Sequence, residues 1–310
     1  MILSKNLVSC CLLTVLSLNG SAWAKQLKVI TTTADLASIV HEIGLDQVKV
    51  ESLASPLQDP HFVDAKPSLI VKLMNADLFI ETGLELEIGW APLLIRSCGN
   101  PRIQANAPGH LDASRAIVPI EVPQNPSRAM GDVHPGGNPH YLIDPENGKL
   151  VAKLICQKLK ELAPKDADYF QNNLSAFESR IDEKMKQWTE KMAPYKGSKF
   201  VSYHRDVSYL AHRFGLISVG EIEPKPGIPP TAKHTAELMD RIRSEKVRMI
   251  LTEPWHEPRT PQSMGKTTGT KVLVLTLFPN AVPQAKDYLS AVDYNVNLIV
   301  QTLSNRPPDQ

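Results

Sequence analysis

The sequence predicts an α/β protein of two lobes, each a parallel sheet flanked by helices, joined by one long rigid helix. Three observations carry that expectation. Short apolar runs alternate with helical patterns in two separate stretches, and such alternation marks parallel sheets covered by helices. A charged helical pattern without strands lies between the two stretches. Finally, 310 residues are too many for one ordinary core and suggest about two domains of roughly 100 to 150 residues each.

In chain order, "QLKVITTTADLASIVHEIG" reads as a strand, a Thr/Ala/Asp helix start, and a helix with apolar residues three and four apart. "VKVESLA" is the next strand, "KPSLIVKLMNA" a helix, and "DLFIETG" a strand again. "NGKLVAKLICQKLKELAPKDADYFQNNLSAFESRIDEKMKQWTEKMAPYKG" is helical by pattern and broken near Pro164. Its second part, Lys165 to Met192, would span roughly 40 Å at the α-helical rise. The alternation resumes through "SKFVSYH", "VSYLAHRFG", "ISVGEIE", "TAELMDRIRSEK", "VRMILTE" and "KVLVLTL". The expected organisation is an N-terminal lobe over 25–164, a connecting helix over 165–193 and a C-terminal lobe over 194–310, with ligand sites at the carboxyl ends of the strands.

Residues 1–24 stand apart. Lys5, the apolar run "LVSCCLLTVLSL", and Ala22 and Ala24 in "SAWA" form the pattern of a cleavable signal peptide, so the mature protein is expected to start at Lys25 and to be exported to the periplasm. "LVSC", ending at Cys10, precedes most of the apolar run and so does not read as a lipoprotein box. Cys98 and Cys156 remain after cleavage. Cys156 lies in the amphipathic pattern "LVAKLICQKLKEL", where a buried thiol is expected, and both are read as free. With 34 basic and 33 acidic residues, the chain lacks the basic excess that phosphate binding needs, which argues against a nucleic-acid partner.

Of the nine histidines, His41, His110, His212 and His234 read as solvated, loop or capping residues. Three others share a placement. His61 follows a strand and the Pro-framed loop "QDPH"; His140 heads "YLIDP" in a loop stiffened by Pro135 and Pro139; His204 ends the strand "SKFVSY". Two come from the first lobe and one from the second, all where a cleft would open. Three neutral imidazoles suit Zn²⁺, with one position left for a carboxylate or water. Asp144 and Asp206, near His140 and His204 in the sequence, could take the second imidazole proton or cap a helix. Glu85 and Glu87 read as the solvated face of an edge segment, and Trp90 and Trp255 as lobe-packing aromatics.

"QDPHFVDAKPSLIVKLMNADLFIETGLELEIGW", "GGNPHYLIDP" and "FVSYHRDVSYLAHRFGL" resemble the zinc and manganese solute receptors of bacterial ABC importers, over nearly the whole mature chain. The resemblance implies metal bound between two lobes and delivered to a membrane permease, with no chemical step and as a monomer. His61, His140 and His204 match the family's first three ligand positions. The third is typically a glutamate in manganese members, so His204 favours Zn²⁺ over Mn²⁺. At the fourth, where many members carry an aspartate, this chain has Phe278 in "VLTLFPNA". Glu253 in "ILTEPWHEP" is the expected replacement, ahead of Glu223 and His256, with water as the alternative. The region matching the family's histidine-rich loop holds only His134, read as an ordinary loop histidine. The rival reading is a zinc hydrolase with three histidines and a water. Against it, the chain has no HExxH motif and no acid one helical turn from a ligand. A surface adhesin on the same fold would need an anchor.

Overall fold

A computed structural model of the chain describes residues 26–125, 134–225 and 227–305. The expected signal peptide and residues 126–133 lie outside the described residues. Among those described, no helix is long and apolar enough to cross a membrane.

The first half contains β1 (Leu27–Thr31), α1 (Ala34–Gly44), β2 (Val48–Ser52), α2 (Pro67–Met74), β3 (Leu78–Glu81), α3 (Ala91–Ser97) and β4 (His110–Asp112). All four strands are parallel, in the order β2-β1-β3-β4. Two long helices follow, α4 (Pro145–Leu162) and α5 (Ala167–Met192). The second half repeats the plan with β5 (Lys199–Ser202), α6 (Ser208–Phe214), β6 (Ile217–Glu221), α7 (Ala232–Ser244), β7 (Met249–Thr252), α8 (Arg259–Thr268) and β8 (Lys271–Val274). Its sheet is also parallel, in the order β6-β5-β7-β8. The C-terminal helix α9 spans Tyr288–Ser304.

The two-residue period of the strands divides their side chains between two cores. Val29, Leu78, Ile80, Phe200, Met249 and Leu251 enter one continuous apolar cluster that also takes in α1, α4, α5 and α9. Their neighbours Ile30 and Phe79 face a separate cluster under α2 and α3. Val201 and Ile250 face a third under α7 and α8. Each sheet is therefore covered on both faces, which is why the inner strands β3, β5 and β7 are apolar without alternation.

Helix α5 runs 26 residues, roughly 39 Å at 1.5 Å per residue, between the two sheets. Its buried stripe is Phe170, Leu174, Phe177, Ile181, Trp188 and Met192, spaced three and four apart or at multiples of that repeat. Helix α9 closes against it rather than staying within the second half: the Trp188 indole donates to Asp293 at 2.9 Å. Further bonds cross between the halves. The Asp144 carboxylate takes a forked pair of bonds from Arg213 of α6 at 2.9 and 2.8 Å. The Tyr209 hydroxyl donates to the Asn138 carbonyl at 2.8 Å. One shared core and these ties join the halves. Among the described residues, Cys98 and Cys156 are free and buried.

Candidate metal centre

Every residue of the site sits just past the carboxyl end of a strand or on the segment that crosses between the halves. His61 lies in the turn between β2 and α2, held by two bonds to Asp59: its backbone N–H reaches the carboxylate at 2.9 Å and its Nδ1 lies 2.7 Å from the same oxygen. The Trp90 indole donates to the Pro60 carbonyl at 2.8 Å, pinning this turn to the first-half core, where Trp90 is buried as the sequence suggested. His140 precedes a 3₁₀ turn, Tyr141–Ile143, that leads into α4. Its backbone N–H donates to the Asn138 side chain at 2.9 Å. His204 follows β5, and its Nδ1 lies 2.9 Å from Glu223, just past β6.

These three rings converge. Their centroids are 5.1 Å apart for His61 and His140, 5.4 Å for His61 and His204, and 5.3 Å for His140 and His204. One ring nitrogen from each lies within 4.8 Å of the others. Nδ1 of His61 and of His204 is taken by a carboxylate, which leaves Nε2 to face the cluster; Nε2 of His140 is buried with no hydrogen-bond partner. A buried nitrogen lone pair without a donor is what a ligand for a cation looks like before the cation arrives.

The electrostatics follow from the geometry. Burial and the neighbouring imidazoles hold His140 well below its ordinary pKa of 6.5, so it is neutral and ready to ligate at neutral pH. Burial disfavours the proton on His204, but the bond to Glu223 and the charges of Asp206 and Glu223 outweigh it and raise its pKa. Burial would raise the Asp59 carboxyl; its bond to His61 and the charge of that ring bring it below the ordinary range.

A fourth imidazole, which sequence reasoning took for an ordinary loop histidine, lies against the set. His134 Nε2 is 3.2 Å from His61 Nε2, and burial with the charges of His61 and His204 depresses its pKa to about 4. It stands where a solvent-facing depression of about 540 Å³, lined by Phe62, Glu85, Ile88 and Trp90, reaches the site.

Glu253, the carboxylate expected to complete the set, is not among the three histidines' partners. It follows β7 directly and groups instead with Asp206 and His256, a second set of ligand atoms within 4.8 Å of one another. The reason is local: β7 runs beside β5, so its first loop residue meets the loop after β5 at Asp206 rather than at His204. The other acids also resolve. Asp144 caps α4 through the Glu146 N–H and pairs with Arg213, whereas Asp206 sits in the second set; the imidazole partners are Asp59 and Glu223. Glu87 is not solvated: it is 2% exposed and accepts from Thr32 Oγ1 at 2.6 Å and the N–H groups of Thr82 and Gly83 at 2.8 and 3.2 Å. Trp255 lines the central cavity with its ring centroid 5.5 Å from that of buried Phe278.

The family model described as "Zinc-uptake complex component A periplasmic" matches residues 29–302. The chain belongs to this family. Members are the substrate-binding proteins of metal ABC importers, and the protein is a binding protein rather than an enzyme. The chain is 25% identical over 296 residues to the metal ABC transporter substrate-binding lipoprotein FimA of Streptococcus parasanguinis, covering 92% of each. It is 24% identical to the manganese ABC transporter substrate-binding lipoprotein PsaA of Streptococcus pneumoniae, over 90% of this chain and 89% of PsaA. It is 22% identical to the zinc-binding lipoprotein AdcA of the same species, over 96% of this chain but only 60% of AdcA. Among solved structures, one of ZnuA superposes with a TM-score of 0.75 at 23% identity, over 89% of this chain and 98% of that one. The laminin-binding protein of Streptococcus agalactiae, described as having adhesin and metal-transporting activity, gives 0.74 at 24%, over 89% and 99%. These structural likenesses place the two-lobed fold over about nine-tenths of the chain.

Proposed function

We propose that this protein is an exported receptor that captures Zn²⁺ on His61, His140 and His204 and delivers it to the membrane permease of an ABC importer in the periplasm. The observation that carries the reading is the convergence of three imidazoles from both halves with His140 Nε2 buried and unpartnered. A set of neutral imidazoles without a carboxylate suits Zn²⁺; Mn²⁺ favours oxygen donors. Phe278 is buried and offers no donor, which favours the same metal. His134, held against His61, is the nearest further imidazole and a candidate for the fourth donor from the solvent side.

The ion is cargo, so the residues must hold it firmly and release it on docking. Asp59 and Glu223 fix the His61 and His204 rings, and Glu223 raises the basicity of His204. The stiff connection through α5 limits the opening of the halves to small motions. The experiment is metal analysis of the mature protein purified without chelators, followed by competition of equal Zn²⁺ and Mn²⁺. Zinc occupancy that His140→Ala lowers at least a hundredfold in affinity supports the reading. Preferential loading with Mn²⁺, or unchanged zinc affinity in His140→Ala, defeats it.

A further inference from the structure

Beside the histidine set, the loop after β5 and the loop after β7 bring Asp206, Glu253 and His256 together, and the proposed capture site uses none of them. Their side chains are 1%, 0% and 10% exposed. His256 Nε2 lies 3.3 Å from Glu253 Oε2 and 3.8 Å from Asp206 Oδ2. Tyr203 stacks on the His256 ring with centroids 4.1 Å apart and planes 11° from parallel, which fixes the ring's direction. Asp206 Oδ1, both oxygens of Glu253 and Nε2 of His256 are buried with no hydrogen-bond partner.

We infer that Asp206, Glu253 and His256 form a second divalent-cation site, distinct from the three-histidine set and opening on the same cavity. Buried carboxyl oxygens without hydrogen-bond partners call for donors or a cation among them. A proton on His256 answers only part of that need: the single Nε2–H can serve one carboxylate oxygen and leaves the others bare. A metal ion takes one donor from all three. Donors bound at about 2.0 to 2.2 Å around a tetrahedral ion lie roughly 3.3 to 3.6 Å apart, close to the separations found. The mixed oxygen and nitrogen set suits Zn²⁺ or Mn²⁺ rather than Ca²⁺ or Mg²⁺. Access is shared, because one cavity of about 20 Å³ is lined by His61, His140 and His204 together with Asp206 and His256; a space of that size admits one water or ion at a time.

The two sets are close but separate. The His204 and His256 ring centroids are 6.5 Å apart, and His204 Nδ1 is already taken by Glu223, so no imidazole bridges them. The protein would then carry two ions, one on imidazoles and one on carboxylates.

The test needs no variant at first. Crystals of wild-type protein soaked with saturating Zn²⁺ are measured across the zinc absorption edge. An anomalous peak among Asp206, Glu253 and His256, separate from one at the histidines, supports the site. A histidine-set peak alone overturns it while leaving the capture reading intact, and a peak at the acid set alone overturns the capture ligands instead. In solution, metal analysis after gel filtration should give two equivalents of zinc, falling to one in His256→Gln and to one in His140→Ala. A wild-type value of one, or a value of two in a folded His256→Gln protein, refutes the second site.

Discussion

The Nδ1 of His204 and a carboxylate oxygen of Glu223 lie 2.9 Å apart, and that contact fixes which nitrogen of His204 can meet a metal. It also raises the ring's pKa against its burial. A metal takes only the neutral ring, so zinc affinity should fall as pH drops through this pKa, which lies above the ordinary 6.5. Glu223→Gln keeps an acceptor but removes the charge. It should weaken zinc binding about tenfold at high pH and move the pH of half-release downward. Competition titrations with a zinc chelator between about pH 5 and 8 would show this. No movement, or an upward one, would mean that Glu223 does not set the ring's basicity. In the metal-free fold, a raised histidine pKa contributes stability that is present below pH 6.5 and lost as pH rises through the folded value.

Most strands, the long helix read over Lys165 to Met192 and the convergence of the three histidine rings were legible because each rests on a local rule: apolar runs that alternate with helices, an unbroken helical pattern, and imidazoles placed just past strand ends. What was not legible depends on register between distant segments. Glu87 alternates with apolar neighbours as a solvated residue would, yet it points inward because Thr32 and the Thr82–Gly83 turn offer three donors there. Glu253 and His256 meet Asp206 only because β5 and β7 are neighbours in the sheet. Strand β4 is three residues long, too short to show a period. The DPH spacing that gives His61 its Asp59 partner was readable but passed over.

Trp90 should matter to metal binding although it touches no ligand atom. Its indole N–H holds the Pro60 carbonyl, one residue before His61. Trp90→Phe retains an aromatic ring in the core but frees that carbonyl. Global stability should fall by about 1 to 2 kcal/mol, read by urea denaturation. Zinc affinity should fall further, about tenfold, because a mobile His61 pays for ordering on each binding event. An affinity equal to wild type would show that Asp59 alone fixes the turn.

Glu87 should give the protein a pH-dependent stability opposite to the usual carboxylate pattern. Burial is the main cause that raises its pKa from 4.5 to about 7. The folded state therefore keeps this proton at a pH where the unfolded chain has lost it. Its contribution is fully present below about pH 4.5 and declines as pH rises through about 7. A shift of that size corresponds to a contribution on the order of 3 kcal/mol. Comparing urea midpoints of wild type and Glu87→Gln across this window should show the wild-type advantage shrinking as pH rises; an advantage that grows would contradict the assignment.

The packing of α9 on the first half is the basis for the last expectation. Gly148, in the first turns of α4, faces Tyr288 so closely that an added Cβ would sit 2.2 Å from its hydroxyl and 2.5 Å from its Cζ. That hydroxyl bonds the carbonyls of Leu142 and Asp144 at 2.7 and 3.3 Å, in the segment that carries His140. Gly148→Ala must push Tyr288 aside, and overpacking of this kind costs about 1 to 3 kcal/mol, roughly 2 to 5 °C in thermal midpoint for a chain of this size. It should also loosen His140 and weaken zinc binding severalfold. In a Tyr288→Ala background the same change has nothing to displace, so the double-mutant cycle should return most of the cost. Equal costs in both backgrounds would show that Gly148 is required by α4 itself rather than by its contact with the C-terminal helix.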